Sequence, residues 1–206
     1  MLEFNEMILK ALTIAFAVSA PATVWAAMAS VLGHPAQDIR RMFPESSRYV
    51  VRDLIPIRHA KKDLLKRVIE DIGETIADID QEYDTLETPR TFYAVYQGDR
   101  YIGLVHGVNV RLDRGPMQVF VAYEKKGKIR DVYLQKMSFK DAPMFRAKTY
   151  SDQFRRYGLG QRFEGIHLKP PVRNPTEEIL KVHHAVVRAV RMNMAYVKFL
   201  YNEFNE

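Results

Sequence analysis

The stretch that most restricts what this chain can become is TFYAVYQGDRYIGLVHGVNV, residues 91–110, followed by MQVFVAYE, residues 117–124, and IRDVYLQKM, residues 129–137. These runs are short, apolar and rich in β-branched and aromatic residues. Turn residues separate them: Gln97-Gly98-Asp99-Arg100, Gly115-Pro116 and Lys125-Lys126-Gly127-Lys128. Short runs of this composition are strands, and turns this tight join antiparallel neighbours. The prediction is an antiparallel meander with Phe120, Ala122, Val132 and Leu134 in the core.

Helical patterns flank the meander. Residues 36–43 (AQDIRRMF) read as a short helix stopped by Pro44, and residues 49–57 (YVVRDLIPI) as a short strand ending at Pro56. From Arg58 to Leu86 the chain is amphipathic. Leu65, Ile69, Ile72, Ile76 and Ile79 alternate steps of four and three and form one stripe, charged residues cover the remainder, and Gly73 is a weak point. Ser138 to about Phe163 mixes loop and helix. Asn174-Pro175-Thr176 then opens a helix to about Phe204, whose apolar positions Ile179, Val182, Val186, Val190, Met194, Val197 and Leu200 are broad enough for burial on more than one side. The expected fold class is α+β: an antiparallel sheet packed with helices, preceded by an N-terminal hydrophobic segment and a charged amphipathic helix. The corresponding division is 1–32, 33–90 as a helical N-terminal region, and 91–206 as the α+β domain with its long C-terminal helix.

The N-terminal segment bears on compartment. Residues 11–32, ALTIAFAVSAPATVWAAMASVL, carry no charge. As a secretory signal peptide the segment would be cleaved at a small-x-small site, Val24-Trp25-Ala26 or Ala27-Met28-Ala29. As a membrane anchor it would span the ~30 Å hydrocarbon core at ~1.5 Å per residue, with a kink at Pro21. Both readings imply export, to the periplasm or the periplasmic face of the inner membrane, and no nucleic-acid partner.

The net charge of +6 favours anionic neighbours. Basic patches at Arg40-Arg41, Arg58 to Lys62, Lys125 to Lys128 and Arg155-Arg156 would suit an anionic lipid surface if they cluster in space. The absence of cysteine removes disulfides, thiolate metal sites, iron-sulfur clusters and Cys-x-x-Cys-His haem attachment. The chain also lacks a Rossmann or P-loop glycine cradle and a serine in a nucleophile elbow, so no catalytic set is assigned. His183 and His184 diverge by ~100° on a helix and cannot share one ion, so no metal site is assigned either. Glu177 and Glu178 fall in the first turn of their helix, where carboxylates complement its dipole, with Thr176 or Asn174 as cap.

From Thr91 onward the order FYAVYQGDRYIGLVHGV, GPMQVFVAYEKKGKIRDVYLQKMSFKDAP, a Phe-bearing segment and a terminal AVVRAV helix resembles the FMN-binding domain of exported redox proteins. That family includes the flavoprotein subunits of the Rnf complex and of the sodium-pumping NADH:quinone oxidoreductase. The resemblance covers roughly residues 91–197 and implies a sheet-and-helix fold in an electron-transport setting, with membrane redox subunits as partners. The family carries an E-T-P-G-L-G loop and an S-G-A-T motif whose threonine is esterified to FMN phosphate. Here Asp141-Ala142-Pro143-Met144-Phe145-Arg146 stands at the first, with large residues in place of both glycines, and Glu177-Glu178-Ile179-Leu180 at the second. Leu180 has no hydroxyl to esterify. The expectation is therefore an accessory or structural subunit without covalent flavin. The alternative is a flavoprotein that holds FMN noncovalently, with Asp141, Pro143, Arg146 and Thr176 near the ring or phosphate.

Overall fold

The computed structural model describes residues 31–54, 62–73, 90–113, 115–161 and 168–201. Five strands, β1 (Arg48–Leu54), β2 (Arg90–Gln97), β3 (Arg100–Leu112), β4 (Gly115–Glu124) and β5 (Ile129–Gln135), pair antiparallel in chain order. Two of the turns expected from sequence, Gly98-Asp99 and Lys125 to Lys128, close hairpins, whereas Gly115-Pro116 is not a turn: it opens β4 and pairs with Leu112 and Arg111 at the end of β3. Gln97 lies opposite Arg100, and β3 pairs with β4 from Gly103 opposite Glu124 to Leu112 opposite Gly115. The helices are α1 (Pro35–Met42), α2 (Lys62–Ile72), α3 (Ala142–Arg146), α4 (Lys148–Ser151) and α5 (Glu177–Tyr196). A 3₁₀ turn, Asp152–Arg156, follows α4, and a π turn, Val197–Tyr201, extends α5. The chain is α+β, as expected.

Both faces of the sheet are covered, so β4 is buried along nearly its whole length. Alternation along a strand sends successive side chains to opposite faces. Val119, Val121 and Tyr123 therefore join Val132 and Leu134 beneath α2 and α5, while Phe120 and Ala122 face the other way, toward Leu32, Ile39 and Phe43 around α1. The four predicted core residues are all buried but belong to two cores. At Gly107 the ring of Phe120 lies where a side chain would stand: a β-carbon there would come within 2.4 Å of the ring. The core around α1, to which Phe120 belongs, depends on that close approach.

The 33–90 segment contributes more than helices. β1 pairs residue for residue with β2, from Arg48 opposite Tyr96 to Leu54 opposite Arg90, so the segments 33–90 and 91–206 share one sheet. In α2 the buried face is Leu64, Val68 and Ile72, with Leu65 and Ile69 at its margin. The expected stripe through Leu65 and Ile69 is thus rotated by one residue, because α2 packs a straight four-residue ridge on the sheet's helix layer. Gly73 follows α2 with a φ of 73°, and its N–H reaches the Ile69 carbonyl. That left-handed position suits glycine and ends the described helix; Ile76, Ile79 and Leu86 lie outside the described residues. So do residues 1–30. Among the described residues no helix is long and apolar enough to cross a membrane.

Helix α5 is fastened to the sheet by polar bonds as well as apolar packing. Asn193, fully buried, donates through Nδ2 to the His106 carbonyl at 2.7 Å and accepts the Tyr123 hydroxyl at 3.0 Å. Just past α5, Lys198 pairs with Asp71 at 3.1 Å and ties the helix to α2. Replacing Asn193 with alanine leaves the Tyr123 hydroxyl and the His106 carbonyl buried without this partner, and should cost about 2–4 kcal/mol in chemical denaturation, whereas Tyr123→Phe should cost about 1–2 kcal/mol.

Candidate functional site

A cleft lies at the start of α5. The N-terminal turns of that helix, the end of the β3–β4 hairpin and the segment after β5 enclose about 720 Å³ of open space. This is within the usual range for a small-molecule site. Its apolar wall includes Leu112, Phe139 and Val182, and its charged rim sets Arg111, Lys140 and Lys181 against Asp113, Asp141, Glu177 and Glu178. Lys181 and Asp113 face each other at 3.6 Å, both well exposed, a pairing that contributes little.

Of the four residues proposed from sequence to approach a flavin, two meet here. Asp141 and Thr176 line the cleft. Pro143 and Arg146 belong to α3 and are exposed, with Arg146 Nε donating to the Leu134 carbonyl at 3.1 Å. Thr176 is the helix cap. Its hydroxyl accepts the Ile179 N–H at 3.3 Å, which satisfies one of the free donors at the α5 N-terminus.

The residues present suit a flavin phosphate poorly. Among the described lining residues four carboxylates stand against three cations, and Glu177 and Glu178 stand where the helix N-terminus would otherwise receive a phosphate. Leu180 is half-buried and does not line the cleft. The segment that would need glycines for close approach to a ring is helix α3, whose Phe145 is locked in the core against Phe139 and Tyr150. No group of three or more His, Asp or Glu side chains among the described residues is placed to hold a metal ion.

The two adjacent histidines part as helical geometry requires. His183 is buried, with Nδ1 2.9 Å from the Tyr150 hydroxyl, and His184 is exposed. Burial first, and then the neighbouring His184, lowers the pKa of His183, while burial raises that of Tyr150. The neutral ring therefore accepts the tyrosine proton at Nδ1, and its other hydrogen-bond partner is the Leu168 backbone. His183 is thus a buried core histidine with a Tyr150 partner.

Sequence reasoning missed two features. His106 on β3 is fully buried, stacked on Phe92 at 4.3 Å beside the equally buried Arg90, whose guanidinium lies 4.2 Å from the centre of the Tyr196 ring. Neither ring nitrogen of His106 has a hydrogen-bond partner among the described residues. The second feature is a smaller cleft of about 400 Å³ at the far end of β4, where Arg41, Lys128, Arg130 and Arg155 converge. The basic patches that supply it are visible in the sequence; their convergence is not. Comparison with protein-family models, with curated proteins and with solved structures finds no match to this chain.

Burial, reinforced by Arg90, brings the pKa of His106 down to about 3. Its neutral form is favoured in the fold, so the unfolded chain binds more protons once the pH falls below the ordinary histidine value of about 6.5. This contribution is complete above that pH and is lost as the pH falls toward 3, with a slope of at most about 1.4 kcal/mol per pH unit. Urea denaturation across that window should show a flatter pH dependence for His106→Leu than for the unaltered protein.

Proposed function

We propose that this chain is an accessory or structural subunit of a membrane-associated electron-transport assembly, built on an FMN-binding-like domain that carries no covalent flavin. The order of its strands and terminal helix supports the first half of this reading. The observation that carries the second is at the start of α5, where Leu180 occupies the position expected for a flavin-bearing threonine and Glu177 and Glu178 stand in the first turn of the helix. In this reading residues 11–32 direct export or anchor the chain at the periplasmic face of the inner membrane, and the folded part packs against redox subunits there.

One observation favours a second reading. Asp141 and Thr176, far apart in sequence, line one cleft large enough for a flavin together with Lys140 and Lys181. A noncovalent flavoprotein would use that cleft, with the bound isoalloxazine supplying the redox chemistry and the chain supplying position and charge.

Mild detergent extraction of a tagged full-length chain separates the readings. The accessory reading expects redox subunits at fixed stoichiometry and no flavin released from this polypeptide on denaturation. A monomer that extracts alone overturns it. Titration of the purified chain with FMN, followed by flavin fluorescence, should show no saturable quenching; saturation at micromolar FMN would establish the noncovalent flavoprotein instead.

A further inference from the structure

The smaller cleft has the opposite electrostatic character. Four segments build it: the C-terminal end of α1 with Arg41, the β4–β5 turn with Lys128, the start of β5 with Arg130, and the 3₁₀ turn with Arg155. Two carboxylates, Glu124 and Asp131, face these four cations. Three of the four basic patches found in the sequence thus meet at one place. Like charges gather against their mutual repulsion, and the enclosed space is favourable for an anion.

The cations are not equally committed. Arg130 is held on both sides of its fork by Glu45, at 2.6 and 2.9 Å, and its Nε donates to the Met42 carbonyl at 2.8 Å. It fastens the cleft wall to the end of α1. Arg155 has only a half-exposed contact with Asp152, three residues earlier, at 3.0 Å. Arg41 lies over the Tyr133 ring at 4.5 Å and is exposed, which leaves its fork free to turn to a ligand. Lys128 is exposed, and its backbone is bridged to Gly158, so the turn and the segment after the 3₁₀ turn hold a fixed spacing. Asp131 is half-buried and lines the cleft beside Arg41 and Arg155; burial raises its carboxyl pKa, against the Val132 N–H bond and the two guanidinium charges.

From this geometry we infer that the cleft is a binding site for a phosphate group, with Arg41, Lys128 and Arg155 as its ligands and Arg130 as their structural support. Two guanidinium forks and a lysine suit the several oxygens of a phosphate better than a single carboxylate. The group arrives either on a soluble ligand or as a phospholipid headgroup. The site lies at the opposite end of β4 from the α5 cleft, about 30 Å away at ~3.4 Å per residue. The inference is independent of the proposed function and stands equally for a flavoprotein.

The test uses the full chain in mild nonionic detergent and two probes. Calorimetric titration with pyrophosphate should show binding that Arg41→Gln, Lys128→Gln and Arg155→Gln together weaken roughly tenfold or more. Flotation with vesicles of phosphatidylcholine, alone or mixed with phosphatidylglycerol, reads the lipid source, because insertion of an apolar segment does not depend on headgroup charge. Charge-dependent flotation lost in the triple variant identifies the headgroup, and pyrophosphate binding without it identifies a soluble phosphate ligand. Asp131→Asn keeps an oxygen for the Val132 N–H and removes a competing charge, so it should tighten binding severalfold even if the triple variant folds badly. Equal binding by unaltered, triple-variant and Asp131→Asn proteins, or no binding of either probe by the unaltered protein, overturns the inference.

Discussion

The bond pair at Asn193 fixes the relation between the long helix and the sheet. Apolar packing alone allows α5 to slide or rotate on β3 and β4, since Val, Ile and Met side chains can interdigitate in several registers. A buried amide that must find both a carbonyl acceptor and a hydroxyl donor removes that freedom: only one placement of the helix satisfies the His106 carbonyl and Tyr123 together. Every residue of the α5 cleft on the helix side, from Thr176 to Ala185, takes its position from that placement. Thr176 then fixes where the helix begins, and the ion pair of Lys198 with Asp71 fixes its far end against α2.

The same layer contains a costly group. Arg90 and His106 lie side by side in the apolar interior, where burial first and then the neighbouring Arg90 lower the pKa of His106, and the guanidinium lies over the Tyr196 ring. Phe92 and Tyr196 complete this arrangement by packing on the His106 ring from two directions, face to face and edge on.

The parts of this architecture legible in the sequence are those set by local rules. The hairpins at Gly98-Asp99 and Lys125 to Lys128 follow from turn chemistry, the α5 start from Thr176, and the divergence of His183 and His184 from helical geometry. Misjudgements arise where tertiary packing chooses between local options. Leu64 and Val68 face the core instead of Leu65 and Ile69, because the two stripes differ by one residue and share Ile72. That β1 joins the same sheet as β2 depends on a partner some forty residues away in the chain, and no local pattern encodes it. The flavin-like residues show the same limit: spacing brings Asp141 and Thr176 to one cleft, while Pro143 and Arg146 turn outward because α3 is a helix rather than an open glycine loop.

The two clefts differ in electrical character. Among the described lining residues carboxylates outnumber cations where β4 begins, and cations outnumber carboxylates where it ends. A strand buried along nearly its whole length thus holds two unlike electrostatic environments apart at a fixed distance. Occupants of different charge can in this way be selected at the two ends of one strand, without either cleft having to change shape.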